Sequence, residues 1–203
     1  GFHPILPIEE DNEILICYNK WFEDIQSQYV GYSHILTSTT IIGISYKELS
    51  ITELKKRDNL GRNLGNFEAK DSVYNSTIAK KFNEHFGAGI TFKYISEEID
   101  VNKASSFACD FGSIIRFNNV LSFGFSANNL GDGIKLYKEK FPLPTTYNCG
   151  FGYNKKRLTL GLDYESEING DEFYKLGANY KLTSNFNLST GYNYAVKDYD
   201  NLG

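Results

Sequence analysis

The 203-residue chain contains no methionine, one tryptophan, three cysteines and four prolines. It has no run of about 18 apolar residues, which excludes a membrane-crossing helix and leaves a closed barrel as the only route through a bilayer. The three cysteines, Cys17, Cys109 and Cys149, stand far apart, with no Cys-x-x-Cys and no neighbouring histidine. They read as small apolar side chains rather than a disulfide framework or metal site. Neither sign of charge dominates, with 21 basic and 25 acidic residues giving −4. That balance excludes a nucleic-acid surface and a polybasic lipid anchor. With no leader and no initiator residue in view, the chain is expected to be processed, excised or incomplete at its start.

What the sequence has in quantity is Gly (18), Tyr (15) and Phe (15), a composition suited to strands with aromatic cross-strand pairs. Period-two alternation recurs along most of the chain. Leu121, Phe123, Phe125 and Ala127 alternate with Ser122, Gly124 and Ser126. Leu158, Leu160, Leu162 and Tyr164 alternate with Thr159, Gly161 and Asp163, and Phe186 to Tyr194 behaves likewise. About eleven such segments of about ten residues each are expected.

The links between them alternate in length. Short turns are expected near 37–39, 83–85, 118–120, 154–157 and 183–185, with longer links over 22–28, 50–70, 97–103 and 129–144. This is the layout of an antiparallel up-and-down transmembrane β-barrel, all-β, in a single domain over residues 1–203. The link at Asn169-Gly170 is short where a long one is due. Leu162 and Leu176 must share a face, so that link has an odd number of residues, three or five. The register sets Lys175 opposite Asp163 or Glu165.

Alternation alone would also suit a soluble ligand-binding barrel. The polar face decides, because a water-facing exterior is rich in Lys, Glu and Arg. Here that face is Gly, Ser, Thr and Asn, with isolated charges at Lys93, Asp110, Asp163 and Lys175. Small polar groups suit a confined lumen, and these four charges are candidate lumen residues, read first as cross-strand pairs. Aromatics at strand ends, among them Tyr46, Tyr94, Phe117, Tyr164, Phe186 and Tyr194, suit interfacial girdles. The partner is then a lipid bilayer and the location a bacterial outer membrane.

Tyr18 to Asp24, Gly65-Asn66-Phe67-Glu68-Ala69-Lys70-Asp71, and Asn128-Asn129-Leu130-Gly131-Asp132-Gly133-Ile134-Lys135 with Phe141-Pro142-Leu143-Pro144 resemble the PorV/PorQ group of outer-membrane proteins, placed with the FadL-like transporters. The resemblance implies about fourteen strands in the complete barrel, more than are seen here. It also implies an inner plug, in whose place only His3-Pro4-Ile5-Leu6-Pro7 stands. By function it implies docking of secreted cargo proteins for a type IX-like secretion system. The alternative is a FadL-like channel admitting hydrophobic small molecules.

Catalysis finds little footing. Nucleophilic chemistry needs a base in reach of the nucleophile, and the chain has only His3, His34 and His85. Parity points His34 outward with Val30 and Tyr32, while His85 falls in a short turn. No phosphate loop or metal spacing occurs, so neither enzyme activity nor a cofactor is expected. Phe141, Pro142, Leu143 and Pro144 form an apolar patch in the last long link, expected to be exposed as a hydrophobic mouth or docking site.

Overall fold

The computed structural model describes residues 11–21, 24–136, 139–168 and 170–196. The plug-like segment His3 to Pro7, Phe22, Glu23, Asn169 and the C-terminal segment lie outside the described residues. Eleven strands form one antiparallel sheet in chain order. They are β1 (Asn12–Lys20), β2 (Ile25–Thr37), β3 (Thr40–Arg57), β4 (Asn63–Lys81), β5 (Phe86–Ile99), β6 (Asn102–Arg116), β7 (Leu121–Gly131), β10 (Thr146–Lys155), β11 (Leu158–Glu167), β12 (Glu172–Lys181) and β13 (Asn187–Val196). A hairpin of two short strands, β8 (Ile134–Leu136) and β9 (Glu139–Phe141), is inserted between β7 and β10. Each consecutive pair is antiparallel, and β1 and β13 are the two ends of the sheet among the described residues.

The five short turns fall where they were expected. Two are closed by an asparagine side chain, which can accept from the backbone ahead of it. Asn83 Oδ1 accepts from His85 N and Phe86 N, both at 2.8 Å, and Asn118 Oδ1 from Val120 N and Leu121 N at 2.8 and 2.9 Å. Leu162 pairs with Leu176 and Ser166 with Glu172, an odd link as parity demanded.

The opposite ends differ from expectation. Residues 50–70 are not a loop, because β3 and β4 run 18 and 19 residues and close at 58–62. Lys55, Lys56 and Arg57 therefore lie in a strand. The reason is a bulge: Glu53 has φ of 62° and the register shifts between Ile51 and Leu54. One extra residue swaps the faces and erases the alternation beyond it. At the tip Asp58 accepts from Leu60 N, Arg62 N and Arg62 Nε at 2.9, 2.8 and 2.7 Å. Residues 97–103 are likewise a tight turn, with only Asp100 and Val101 between β5 and β6.

The packing is that of a membrane sheet. Among the described residues no large side chain is fully buried, and the buried apolar set is Ala79, Ala104, Ala108, Ala127, Ile134 and Leu143. A water-soluble domain of this length would bury large residues in a core. Instead one face exposes them, with Phe107 at 73 % and Phe151 at 57 %. In water such a continuous apolar surface would drive association.

Successive rows across β3 to β6 change character along that outer face. Ile44, Ser76, Phe92 and Cys109 oppose one another, and the next row is Tyr46, Tyr74, Tyr94 and Phe107. Those four rings stand in sequence at centroid distances of 4.9, 6.1 and 5.2 Å. One row further come Glu48, Ser72, Ser96 and Ser105, and beyond them Ser50, Lys70, Glu98 and Lys103. From a mixed row with Ile44 and Phe92 through an aromatic row to polar and charged rows, the outer face follows the order expected from hydrocarbon through headgroup to water. Glu48, buried above the aromatic row, receives Gln28 Nε2 at 2.8 Å, Lys70 Nζ at 2.5 Å and the Tyr46 hydroxyl. Burial raises its pKa, but these donors together outweigh burial and hold it below the usual range.

Candidate functional site

The other face carries mostly Gly, Ser, Thr and Asn on β7 and β10 to β13, and toward the long-link end of β5 and β6 it adds the apolar Ile95, Ala104 and Ala108. Lys93 on β5 and Asp110 on β6 lie on it, with Nζ to Oδ2 of 2.6 Å and side chains 16 % and 21 % exposed. They hold a bulge in β7. Cys109 pairs with Leu130 and Phe111 with Ala127, so Asp110 faces both Asn128 and Asn129. Asn129 adopts φ of 56°, a left-handed conformation that asparagine tolerates best among non-glycine residues.

Asn129 is bonded on every side. Its backbone N–H donates to Asp110 Oδ1 and its Oδ1 accepts from Lys93 Nζ, both at 2.8 Å. Its Nδ2 donates to Pro144 O at 2.9 Å, and its carbonyl accepts from Thr145 Oγ1 at 2.9 Å. One network thus fixes where the link leaves β7 and where it enters β10.

Between these points the link folds inward. Ile134 on β8 and Leu143 are 4 % and 8 % exposed and pack with Ala104 and Ala108 of β6, against Ile95 of β5. Lys93 pairs with Ala108 and Glu97 with Ala104, so this cluster shares the inner face with the ion pair. Two glycines permit the approach. A Cβ on Gly131 would meet the carbonyl oxygen of Phe107, and one on Gly133 that of Phe141. The Asn-Asn-Leu-Gly-Asp-Gly stretch is therefore built for close backbone contact.

The expectation for residues 141–144 is corrected in one particular. Phe141, Pro142 and Pro144 are exposed, but Leu143 is buried because its side chain completes the inner cluster. Of the other two lumen candidates, Lys175 lies directly opposite Asp163, yet its Nζ is 3.0 Å from Glu165 Oε2. Asp163 makes no ion pair among the described residues, and its carboxylate folds over Gly150. The four charges share a face but form two separate groups, on β5–β6 and β11–β12.

Sequence reasoning missed Asn129, the inner apolar cluster, and a carboxylate pair. Asp71 and Glu97 are direct neighbours across β4 and β5 on the inner face, three residues beyond the aromatic row. Glu97 is half-buried and Asp71 exposed, and partial desolvation pushes both carboxyls above the usual range, with the Asp71 charge pushing Glu97 further. Elsewhere, His34 Nδ1 lies 2.9 Å from Asn12 Oδ1 on the outer face, and His85 sits in its turn. Among the described residues no group of three or more His, Cys, Asp or Glu could hold a metal.

No protein-family model matches the chain, and no curated protein matches it in sequence. Solved structures do match it in fold. A TodX mutant described as a monoaromatic hydrocarbon channel superposes with a TM-score of 0.63 at 9 % identity, over 87 % of this chain and 68 % of its own. A Pseudomonas aeruginosa FadL homologue superposes at 0.53 with 11 % identity, over 95 % and 68 % respectively. At such identities the likeness is one of fold alone. The chain is an all-β, antiparallel, up-and-down sheet of eleven strands, with the fold of the FadL-like outer-membrane barrels.

Proposed function

We propose that this protein is an outer-membrane channel for hydrophobic small molecules. The observation that carries the reading is the inward link between β7 and β10, which exposes Phe141, Pro142 and Pro144 and is held to the inner wall by the packed cluster of Ile95, Ala104, Ala108, Ile134 and Leu143. A pore for hydrophilic solutes has no use for an apolar patch at its mouth, whereas a hydrophobic solute needs somewhere to leave water. The exposed Phe141, Pro142 and Pro144 receive the solute first. The Lys93–Asp110–Asn129 network holds the inward link in place, and Lys175–Glu165 braces the wall further round. The fold likeness to a hydrocarbon channel supports the same reading. Docking of secreted cargo, implied by the PorV/PorQ resemblance, rests on sequence motifs alone and is the weaker reading.

The test is uptake of a radiolabelled monoaromatic hydrocarbon by cells expressing the full protein in a channel-deficient outer membrane. Uptake should rise several-fold while uptake of a sugar of similar mass does not. Equal rises for both, or for neither, contradict the reading. Phe141→Ser should lower hydrocarbon uptake, and wild-type uptake in that variant would remove Phe141 from the path.

A further inference from the structure

The outer face of β10 to β13 is not smooth. Two rows of side chains cross it, Leu121–Tyr153–Leu160–Ala178–Thr190 and Phe151–Leu162–Leu176–Tyr192. Between them runs the backbone of Gly152, Gly161, Gly177 and Gly191, also in direct register. These rows border a groove of about 630 Å³, with no charged residue in its lining. Toward β12 and β13 the first row falls from Tyr153 and Leu160 to the smaller Ala178 and Thr190.

We propose that this groove binds one acyl chain of a membrane phospholipid as a fixed, individually held lipid. The proposal rests on the outward placement of this face, not on what the lumen conducts. Three observations select the occupant. The groove interrupts the exposed apolar surface that meets the bilayer, so hydrocarbon is what surrounds it. It crosses five strands, which at about 4.8 Å per strand makes it about 19 Å long, the scale of one lipid tail. One row nearer the long links, Tyr164, Tyr174 and Tyr194 oppose one another, the first two rings 5.1 Å apart. Tyrosine hydroxyls sit among headgroups, and because barrel strands tilt by about 35–45° a groove that crosses them slants into the hydrocarbon, so a lipid anchored beside that row can lay its tail along it. A straight tail lying on a smooth wall would exchange freely, whereas one sunk between two side-chain rows is enclosed on three sides.

Native mass spectrometry of the full protein, extracted from the outer membrane in mild detergent, tests this directly. Wild type should retain one diacyl phospholipid. Ala178→Trp, which fills the groove from within, should reduce retention at least tenfold, and Thr190→Phe should do the same. Ile44→Trp, on the outer face of β3 away from the groove, should retain the lipid. A heat-dependent gel shift confirms that each variant is folded. Absence of lipid from wild type overturns the proposal, as does undiminished retention in both groove variants. A dimer cross-linked through Tyr192 would assign the groove to a second copy instead. Hydrocarbon uptake separates this from the channel reading. Lipid retained without uptake leaves the groove standing and the channel rejected. Uptake lost together with lipid in Ala178→Trp makes the groove a solute site and rejects the proposal.

Discussion

Lys93 and Asp110 meet 2.6 Å apart across the β5–β6 boundary, and Asn129 bonds to both. The pair neutralises two charges on the inner wall, but its larger effect is positional. Its third member is the bulge residue from which the 130–145 link turns inward.

Asp110→Ala should therefore do more than remove a charge. It leaves Lys93 partly buried without its partner and the Asn129 N–H without its acceptor, costing about 3 kcal/mol, the low end for a broken buried pair. Urea unfolding in lipid vesicles reads the stability, and protease cleavage after Lys135 or Lys140 reads the freed link. A variant as stable and as resistant as wild type would contradict the assigned role.

Two glycine substitutions should behave oppositely. Gly131→Ala forces a methyl onto the Phe107 carbonyl and the Ala108 backbone and should cost about 1–3 kcal/mol. Gly177→Ala meets nothing within 4 Å and should be nearly neutral. Thermal unfolding in detergent distinguishes them, and equal effects would refute the close approach of β6 and the link.

The Asp71–Glu97 pair sets a pH dependence whose sign follows from burial. A carboxyl with a raised pKa holds its proton more tightly in the folded protein than in the unfolded one. Stability then falls as pH rises from the ordinary carboxylate pKa through the raised one. Glu97→Gln should stabilise the protein at neutral pH, and the gain should vanish on acidification below the ordinary carboxylate range. A gain that persists in acid, or a loss at neutral pH, would contradict the raised pKa of Glu97 beside Asp71.

Much of this was legible in the sequence, and the failures have identifiable causes. Strand number, the short turns, the common face of Lys93, Asp110, Asp163 and Lys175, and the odd link after β11 all follow from a side-chain period of two. Parity fails wherever a residue is inserted. The bulge at Glu53 disguised the ends of β3 and β4 as a charged loop, and the bulge at Asn129 hid the network around it. The strands β8 and β9, three residues each, are too short to show a period. Leu143 looked exposed because its flanking prolines mark a loop, and no local rule tells which loops fold inward. The inner cluster was invisible because alanines such as Ala104 and Ala108 suit either face.

The assignment of faces makes a further demand on charge. Leu176→Arg, in the middle of the outer band, should cost about 2–4 kcal/mol in a bilayer. Asn193→Arg, on the inner face of β13, should cost far less, since an inward arginine can reach water. Folding free energies in vesicles measure both, and similar penalties would mean that the faces are misassigned.

That assignment underlies the whole account, and alternating cysteines along β12 test it most directly. The native cysteines are first replaced by alanine, and single cysteines are placed in turn at positions 174 to 179 of the full protein in lipid vesicles. A water-soluble maleimide should label positions 175, 177 and 179, whose side chains face the lumen, and spare 176 and 178 until detergent is added, with 174 at the headgroup level labelled in part. Uniform labelling, or labelling of the even positions alone, would contradict a membrane barrel with an aqueous inner face.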